Sequence, residues 1–199
     1  YARAVALQKS SGATFVHPYD DADVIAGQGT VGMEILQQCQ GPIDAIFVAV
    51  GGGGLISGIA AYVKRVRPDI RIIGVEPVNA PTLDASLKAG RVTKIATKPT
   101  LADGLAVAEV GQLCFEIARG VVDQLLLVDE AQIAQAVLRL LELEKMVLEG
   151  GGAVPLGAAM NPAGRNTNVD ARPASSLPFA TNRRTATMTY QLTAPIAKA

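Results

Sequence analysis

Short apolar runs and segments of helical periodicity alternate along most of the chain, and Gly, Pro or Asp separates them. Residues 46–50 form a continuous apolar run, which is typical of a strand buried on both faces. Residues 55–66 place apolar side chains at helical spacing, and residues 70–75 predict a second strand. Because one crossover helix joins the two strands, we expect them to be parallel and connected in the right-handed sense.

The same patterns predict further elements on both sides of this unit. Thr30 and Asp129 each precede a predicted helix with a side chain that can cap its first N–H groups. The alternation of strands and helices indicates an α/β protein. The additional strands are expected at residues 14–16 and 125–128, and the additional helices at residues 1–10, 31–40, 82–89, 110–119, 130–143 and 153–160.

Four consecutive glycines, Gly51, Gly52, Gly53 and Gly54, join the first strand to its helix. Glycine contributes no side-chain packing, so such a run is expected where the backbone turns sharply and comes close to a ligand. At the carboxyl end of a strand and the amino end of a helix, free N–H groups and the helix dipole favour an anion, usually a phosphate. The alternative is a tight turn without a ligand, for which two glycines would suffice.

The identity of the phosphate compound stays open on this local pattern. No Gly-Lys-Ser or Gly-Lys-Thr follows the glycines, so the P-loop pattern fails. The dinucleotide pattern G-x-G-x-x-G nearly fits at Gly52 and Gly54, but Ser57 stands where the third glycine belongs. Glu76 ends the second strand, where an acid that binds the ribose of NAD would lie.

Composition narrows the class of protein. The 199 residues are 49% hydrophobic, and the 18 basic and 18 acidic residues balance, which argues against nucleic acid as a partner. No apolar run is long enough to span a membrane and no secretory signal is visible, so a cytoplasmic location is expected, with an organelle as the alternative. Cys39 and Cys114 fit no metal or disulfide spacing and are expected to be buried.

Three acidic residues, Asp20, Asp21 and Asp23, cluster before an apolar segment. Three carboxylates could hold a metal ion, but acids at this position more often cap the first turn of a helix. We therefore favour capping over a metal site.

Six segments along the chain form one recognisable set: HPYDDADVIAGQGTVGMEIL, FVAVGGGGLISGIA, GVEP, LADGLAV, VDQLLLVDEAQI and EKMVLEGGGAV. Together they resemble the pyridoxal-phosphate enzymes that include threonine dehydratase, serine dehydratase and serine racemase. The resemblance covers residues 1–160 and implies a three-layer open parallel sheet flanked by helices, as in the large domain of the tryptophan synthase β-like fold, here incomplete. Residues 1–20 would end the small domain, 21–160 would form part of the large domain, and 161–199 would be a divergent, poorly ordered tail.

The resemblance implies the compound and its contacts. The glycine run, Gly51 to Gly54, would hold the 5′-phosphate of pyridoxal phosphate, and the N–H group of Leu55 would extend this site. Gly104 and Glu149 would lie beside the cofactor.

The resemblance also implies a divalent cation, Mg²⁺ or Ca²⁺, held by Glu76, the carbonyl of Ala80 and an Asp two residues later. Thr82 occupies that third position here. Because a neutral hydroxyl is a poorer ligand than a carboxylate for such a cation, the metal site is doubtful and dehydratase is favoured over racemase.

The implied activity is β-elimination from L-threonine or L-serine, which yields a 2-oxo acid and ammonia. The substrate is a small amino acid, and the full-length parent is expected to be a homo-oligomer. The family's Schiff-base lysine lies in a segment before Tyr1, where a helical pattern begins without a cap, so the isolated chain is expected to be an inactive fragment. The alternatives are serine racemase and a non-catalytic subunit that pairs with an intact homologue through an exposed sheet edge.

Overall fold

The computed structural model describes residues 2–160 and, as a short strand, residues 166–167. Three parallel strands form the sheet: β1 (Ala45–Ala49), β2 (Arg71–Pro77) and β3 (Gln124–Val128), in that spatial order. β4 (Asn166–Thr167) pairs antiparallel with β3 at the edge. The expectation for residues 161–199 otherwise lies outside the described residues.

Seven α-helices surround these strands in the described part of the chain. A 3₁₀ turn at Asp103–Leu105 precedes the fifth of them, and a π-helical turn at Leu140–Glu144 extends the sixth. The helices are α1 (Ala2–Ser11), α2 (Ala22–Gln38), α3 (Gly54–Val66), α4 (Thr82–Ala89), α5 (Gln112–Val121), α6 (Glu130–Arg139) and α7 (Gly150–Met160).

Helices cover both faces of the sheet, so the expected three-layer architecture is confirmed. Alternate residues of β1 point to opposite layers, as the pleat requires. Val48 packs in the core formed with α2, α3 and α5, whereas Phe47 packs against the cluster that holds Ile133 of α6 and Val154 of α7. None of the helices in the described part of the chain has the length and apolar character that a membrane crossing requires.

Most predicted elements are present, but two predictions were wrong. Residues 14–16 form no strand. The helix expected at residues 31–40 begins at Ala22 instead and is capped by Asp21, while the hydroxyl of Thr30 donates to the carbonyl of Gly27 within the helix.

Gly29 lies within α2, at a close crossing of two helices. Gly29 of α2 lies so near Gly58 of α3 that a Cβ atom on Gly29 would come within 3.3 Å of the Gly58 carbonyl oxygen. A Cβ atom on Gly58 would collide with the carbonyl oxygen of Ile25. The two glycines therefore permit close helix packing, and the helix start predicted after Thr30 wrongly left Gly29 outside α2.

The capping prediction at Asp129 is confirmed. Its carboxylate accepts the N–H group of Gln132 at 2.9 Å, and the Gln132 side chain accepts the N–H group of Asp129 at 2.9 Å. This reciprocal capping box satisfies two N–H groups at the start of α6 and fixes where the helix leaves β3.

Candidate functional site

The turn after β1 carries the glycine run. The N–H group of Val50 still pairs with the carbonyl of Val75 at 2.9 Å, and the chain then turns into α3, which begins at Gly54. Gly53 lies at φ +94°, in the left-handed region that residues with a Cβ atom rarely adopt. The sharp turn therefore depends on glycine at this position.

The N–H groups of the glycine run have no hydrogen-bond acceptor in the described part of the protein. Within the described residues, the backbone N–H groups of residues 51–55 donate no hydrogen bond, and Ser57 makes the first backbone bond of the helix, to the carbonyl of Gly53 at 3.0 Å. The first N–H groups of any helix lack intrahelical partners, and the positive end of the helix dipole lies there. We call the N–H groups of residues 51–55 the amide cradle. It can bind an anion without displacing a protein atom.

The amide cradle opens onto a cleft of about 410 Å³. Gly104 and Glu149 line the same cleft, so the structure brings all seven predicted cofactor-binding residues to one place. Glu149 is exposed just before α7, and a Cβ atom on Gly151 would lie 3.2 Å from its Oε1 atom. Their roles in binding a cofactor stay predictions, and their convergence places them within reach of one bound compound.

Sequence reasoning missed Tyr19, which lines the same cleft and packs against the glycine run. A Cβ atom on Gly52 would collide with the Tyr19 ring, and one on Gly54 would lie 3.0 Å from the Tyr19 backbone. The Tyr19 hydroxyl donates to the carbonyl of Glu109 at 3.2 Å. The signal in the sequence was the glycine run itself, since its missing side chains leave room on both sides of the turn.

Cys114 closes the other side of the turn. A Cβ atom on Gly53 would lie 2.9 Å from the Cβ atom of Cys114, whose thiol donates to the carbonyl of Tyr19 at 3.2 Å. Burial, and to a smaller extent the nearby Asp20 carboxylate, raise the pKa of the Cys114 thiol to about 12, so the thiol is protonated at neutral pH. The prediction of a buried cysteine holds for Cys114, whereas Cys39 is half-buried.

The acidic cluster caps helices, as favoured from the sequence. Asp21 accepts the N–H groups of Asp23 at 2.9 Å and Val24 at 3.2 Å, at the start of α2. Asp20 instead accepts N–H groups at the start of α5, which the sequence did not reveal. Among the described residues, no group of three or more His, Cys, Asp or Glu side chains could hold a metal ion.

Glu76 is fully buried at the carboxyl end of β2 and caps α4. Its carboxylate accepts the N–H groups of Leu83 at 2.7 Å and Asp84 at 2.9 Å. Burial raises the pKa of Glu76 to about 8; these N–H bonds oppose the rise and the Asp84 carboxylate adds to it. The carboxyl group therefore holds its proton well above the usual pH range of a glutamate.

Ala80, the other predicted metal ligand, and Thr82, which replaces the usual aspartate, already have hydrogen-bond partners. The carbonyl of Ala80 accepts the N–H group of Thr82 at 3.0 Å, and the Thr82 hydroxyl donates to the carbonyl of Val107. A hard cation prefers several charged oxygens, and these two groups are neutral. A cation at Glu76 and Ala80 thus stays a prediction, and the contacts of Glu76 are those of a helix cap.

The fold and the site define an α/β protein with a glycine turn at the carboxyl edge of a parallel sheet, where N–H groups without protein acceptors adjoin a cleft. Residues 1–169 match the family described as pyridoxal-phosphate dependent enzyme, and the chain belongs to that family. The resemblance stated from the sequence motifs is thereby confirmed.

Within this family, the chain is similar to ammonia-lyases and to a serine racemase. An L-threonine ammonia-lyase from Thermotoga maritima is 47% identical over 161 residues, which cover 81% of this chain and 40% of that protein. The processed form of threonine deaminase isoform 2 from Solanum lycopersicum has a TM-score of 0.77 and 39% identity, and the match covers 79% of this chain and 46% of that one. Serine racemase from Dictyostelium discoideum has a TM-score of 0.74 and 34% identity, and covers 81% of this chain and 51% of that one. The chain spans about two fifths of the length of the curated relatives named first.

Proposed function

We propose that this chain supplies the cofactor-phosphate site of a threonine ammonia-lyase, which converts L-threonine or L-serine to a 2-oxo acid and ammonia. The amide cradle carries the proposal, because its N–H groups in the described structure donate to no protein acceptor and its five residues line the cleft. Relatives named L-threonine ammonia-lyase, at 47% and 48% identity, support the reaction and the amino-acid substrate. A homo-oligomeric parent is part of the proposal.

The residues of this chain would bind and orient the cofactor. Pyridoxal phosphate, when bound, supplies the electron sink that β-elimination requires. The amide cradle and the dipole of α3 would hold its phosphate. Val31 and Leu105 line the cleft with apolar surface, which lowers the local dielectric and strengthens the N–H to phosphate contacts. Glu149 would place a carboxylate beside the ring.

We further propose that these 199 residues alone do not turn over threonine. Within the described residues no lysine lines the cleft. Lys64 and Lys88 form ion pairs with Asp123 and Asp84 at 2.6 and 2.7 Å. A Schiff-base lysine is therefore expected from a segment other than this stretch.

Two measurements on the full chain test the proposal. Pyridoxine 5′-phosphate, an alcohol that forms no imine with surface lysines, should bind more tightly than pyridoxine in a calorimetric titration, and NAD should not bind. With pyridoxal phosphate and L-threonine present, no 2-oxo acid should form above the protein-free rate. Threonine turnover with a borohydride-stable adduct would contradict the second statement. Binding of NAD without pyridoxine 5′-phosphate would instead favour a dinucleotide site.

Serine racemase is the second candidate. The structural match to the racemase from Dictyostelium discoideum favours it, at lower identity than the ammonia-lyases. Thr82 occupies the position where a serine racemase would be expected to have a charged cation ligand. The Thr82 hydroxyl donates a hydrogen bond to the Val107 carbonyl. The ammonia-lyase is therefore the better supported of the two.

A further inference from the structure

Two neighbouring carboxylates cap two different helices. Both hydrogen bonds of Asp21 go to the start of α2, the helix that follows it directly. Asp20 reaches the start of α5, where it accepts the N–H groups of Gln112 at 2.9 Å, Leu113 at 2.9 Å and Cys114 at 3.2 Å. These partners lie 92, 93 and 94 residues further along the chain, so Asp20 makes a long-range connection where Asp21 makes a local one.

The start of α5 is bound directly to the glycine run. The N–H group of Gly111 donates to the carbonyl of Gly52 at 3.0 Å. Val110 and Cys114 each lie 2.9 Å from the position of a Cβ atom on Gly53. Residues 110–114 therefore form the wall against which the turn of the amide cradle is folded.

Asp20 fills the space between that wall and its own segment. A Cβ atom on Gly111 would collide with the Asp20 carboxylate, so the carboxylate is in van der Waals contact with the backbone at Gly111. Tyr19 adds two further links to the same wall, since its hydroxyl donates to the Glu109 carbonyl and its own carbonyl accepts the Cys114 thiol. Residues 19–20 and 109–114 together pack around the glycine run, and we call them the loop frame.

We propose that Asp20 is a positioning residue for the phosphate: by holding the start of α5 against Gly52 and Gly53, it keeps the N–H groups of the amide cradle aimed at one point. Four glycines in succession have more conformational freedom than any other backbone segment of this length. Donors that are fixed before the anion arrives need no reorganisation when it binds. The loop frame supplies that fixation, and the Asp20 carboxylate is its charged link. The inference rests on the proposed function, because it concerns the same phosphate.

A purely structural role for Asp20 makes a different prediction. If Asp20 only stabilised α5, its loss would lower the melting temperature and leave the preference for a phosphorylated ligand unchanged. Asp21 is the matched control, since it is the next residue, has the same side chain and caps a helix whose N-terminal turn is not bonded to Gly52. Any effect of losing a helix cap alone should be shared by both aspartates.

The test compares Asp20→Ala, Asp20→Asn and Asp21→Ala with the wild type, each as the full chain. Dissociation constants are measured by calorimetry for pyridoxine 5′-phosphate and for pyridoxine, and their ratio reports the phosphate contribution. Asp20→Ala should reduce this ratio about tenfold, whereas Asp21→Ala should leave it within about twofold of the wild type while lowering the melting temperature. Asp20→Asn should be intermediate, because its Oδ1 atom can still accept the N–H groups of Leu113 and Cys114.

The outcomes separate the inference from the function on which it rests. An unchanged ratio in Asp20→Ala, or an equal change in both alanine variants, overturns the positioning role. If Asp20→Ala does not fold, an Asp20→Asn ratio equal to that of the wild type overturns it too. A wild type with no preference for the phosphorylated ligand overturns the proposed function and the inference together.

Discussion

Replacing Gly53 with alanine should destabilise the protein by about 3 kcal/mol and abolish binding of pyridoxine 5′-phosphate. The left-handed conformation of Gly53, at φ +94°, costs a residue with a Cβ atom about 1–2 kcal/mol. The new methyl group would also lie 2.9 Å from Cys114 and from Val110, and such overpacking costs about 1–3 kcal/mol. Relief of either strain moves the N–H groups of the amide cradle. Urea denaturation and calorimetric titration measure the two effects.

Gly90 offers the control for this substitution. It also has positive φ, at +68°, but a Cβ atom there would meet no atom within 4 Å. The free energy of unfolding of Gly90→Ala should therefore fall by only about 1 kcal/mol, the cost of the backbone conformation alone. This variant should bind pyridoxine 5′-phosphate as the wild type does. A Gly53→Ala protein that retains the wild-type affinity, or that loses no more stability than Gly90→Ala, would contradict the account of the turn.

The free energy of unfolding should fall as the pH rises from about 5 to about 8, because Glu76 must give up a buried proton. Burial raises its pKa from 4.5 to about 8 in the folded protein. Between these values the folded state binds a proton that the unfolded state has released, so raising the pH favours unfolding. Each pH unit in this window is worth about 1.4 kcal/mol, which gives a contribution on the order of 5 kcal/mol that is complete below pH 4.5 and lost above about pH 8.

The charges around Glu76 support this direction. Asp84 lies on the first turn of α4, and its Oδ1 atom is buried without a hydrogen-bond partner among the described residues. Its other oxygen pairs with Lys88 at 2.7 Å. A second negative charge on Glu76 would therefore be introduced beside a carboxylate that is already poorly solvated.

Glu76→Gln removes the titrating group and serves as the comparison. Urea denaturation of both proteins is measured at each pH between 5 and 9. The stability of the wild type relative to the variant should decline across this range and level off above about pH 8. Parallel profiles would show that Glu76 does not titrate in this window.

The unit of β1, glycine run, α3 and β2 was predictable because its signals are local. An apolar run, four glycines and a helical period lie within 30 consecutive residues, and each indicates the element that forms. The prediction of a strand at residues 14–16 was wrong because strand formation does not depend on local signals alone. A strand requires a partner, and no strand in the described part of the chain pairs with Phe15 or Val16, so local propensity alone could not decide.

The remaining misses concern contacts between distant segments. Nothing around Asp20 in the sequence indicates that its carboxylate reaches α5, since the partners are backbone N–H groups with no residue signature. Gly27 and Gly29 were left outside the predicted helix because a sequence does not distinguish a glycine that permits close helix packing from one that ends a helix. The glycine run was found from its local pattern, and Leu55, Gly104 and Glu149 from the family motifs, whereas the loop frame required coordinates.

The two cysteines of the chain allow opening of the loop frame to be measured by their rates of alkylation. Alkylating reagents attack the thiolate, and Cys114 combines burial with a pKa of about 12, so its modification has to wait for the frame to open. Cys39, half-buried at the end of α2, provides the reference rate within the same molecule. The ratio of the alkylation rates of Cys114 and Cys39, followed by mass spectrometry, thus reports how often the loop frame opens.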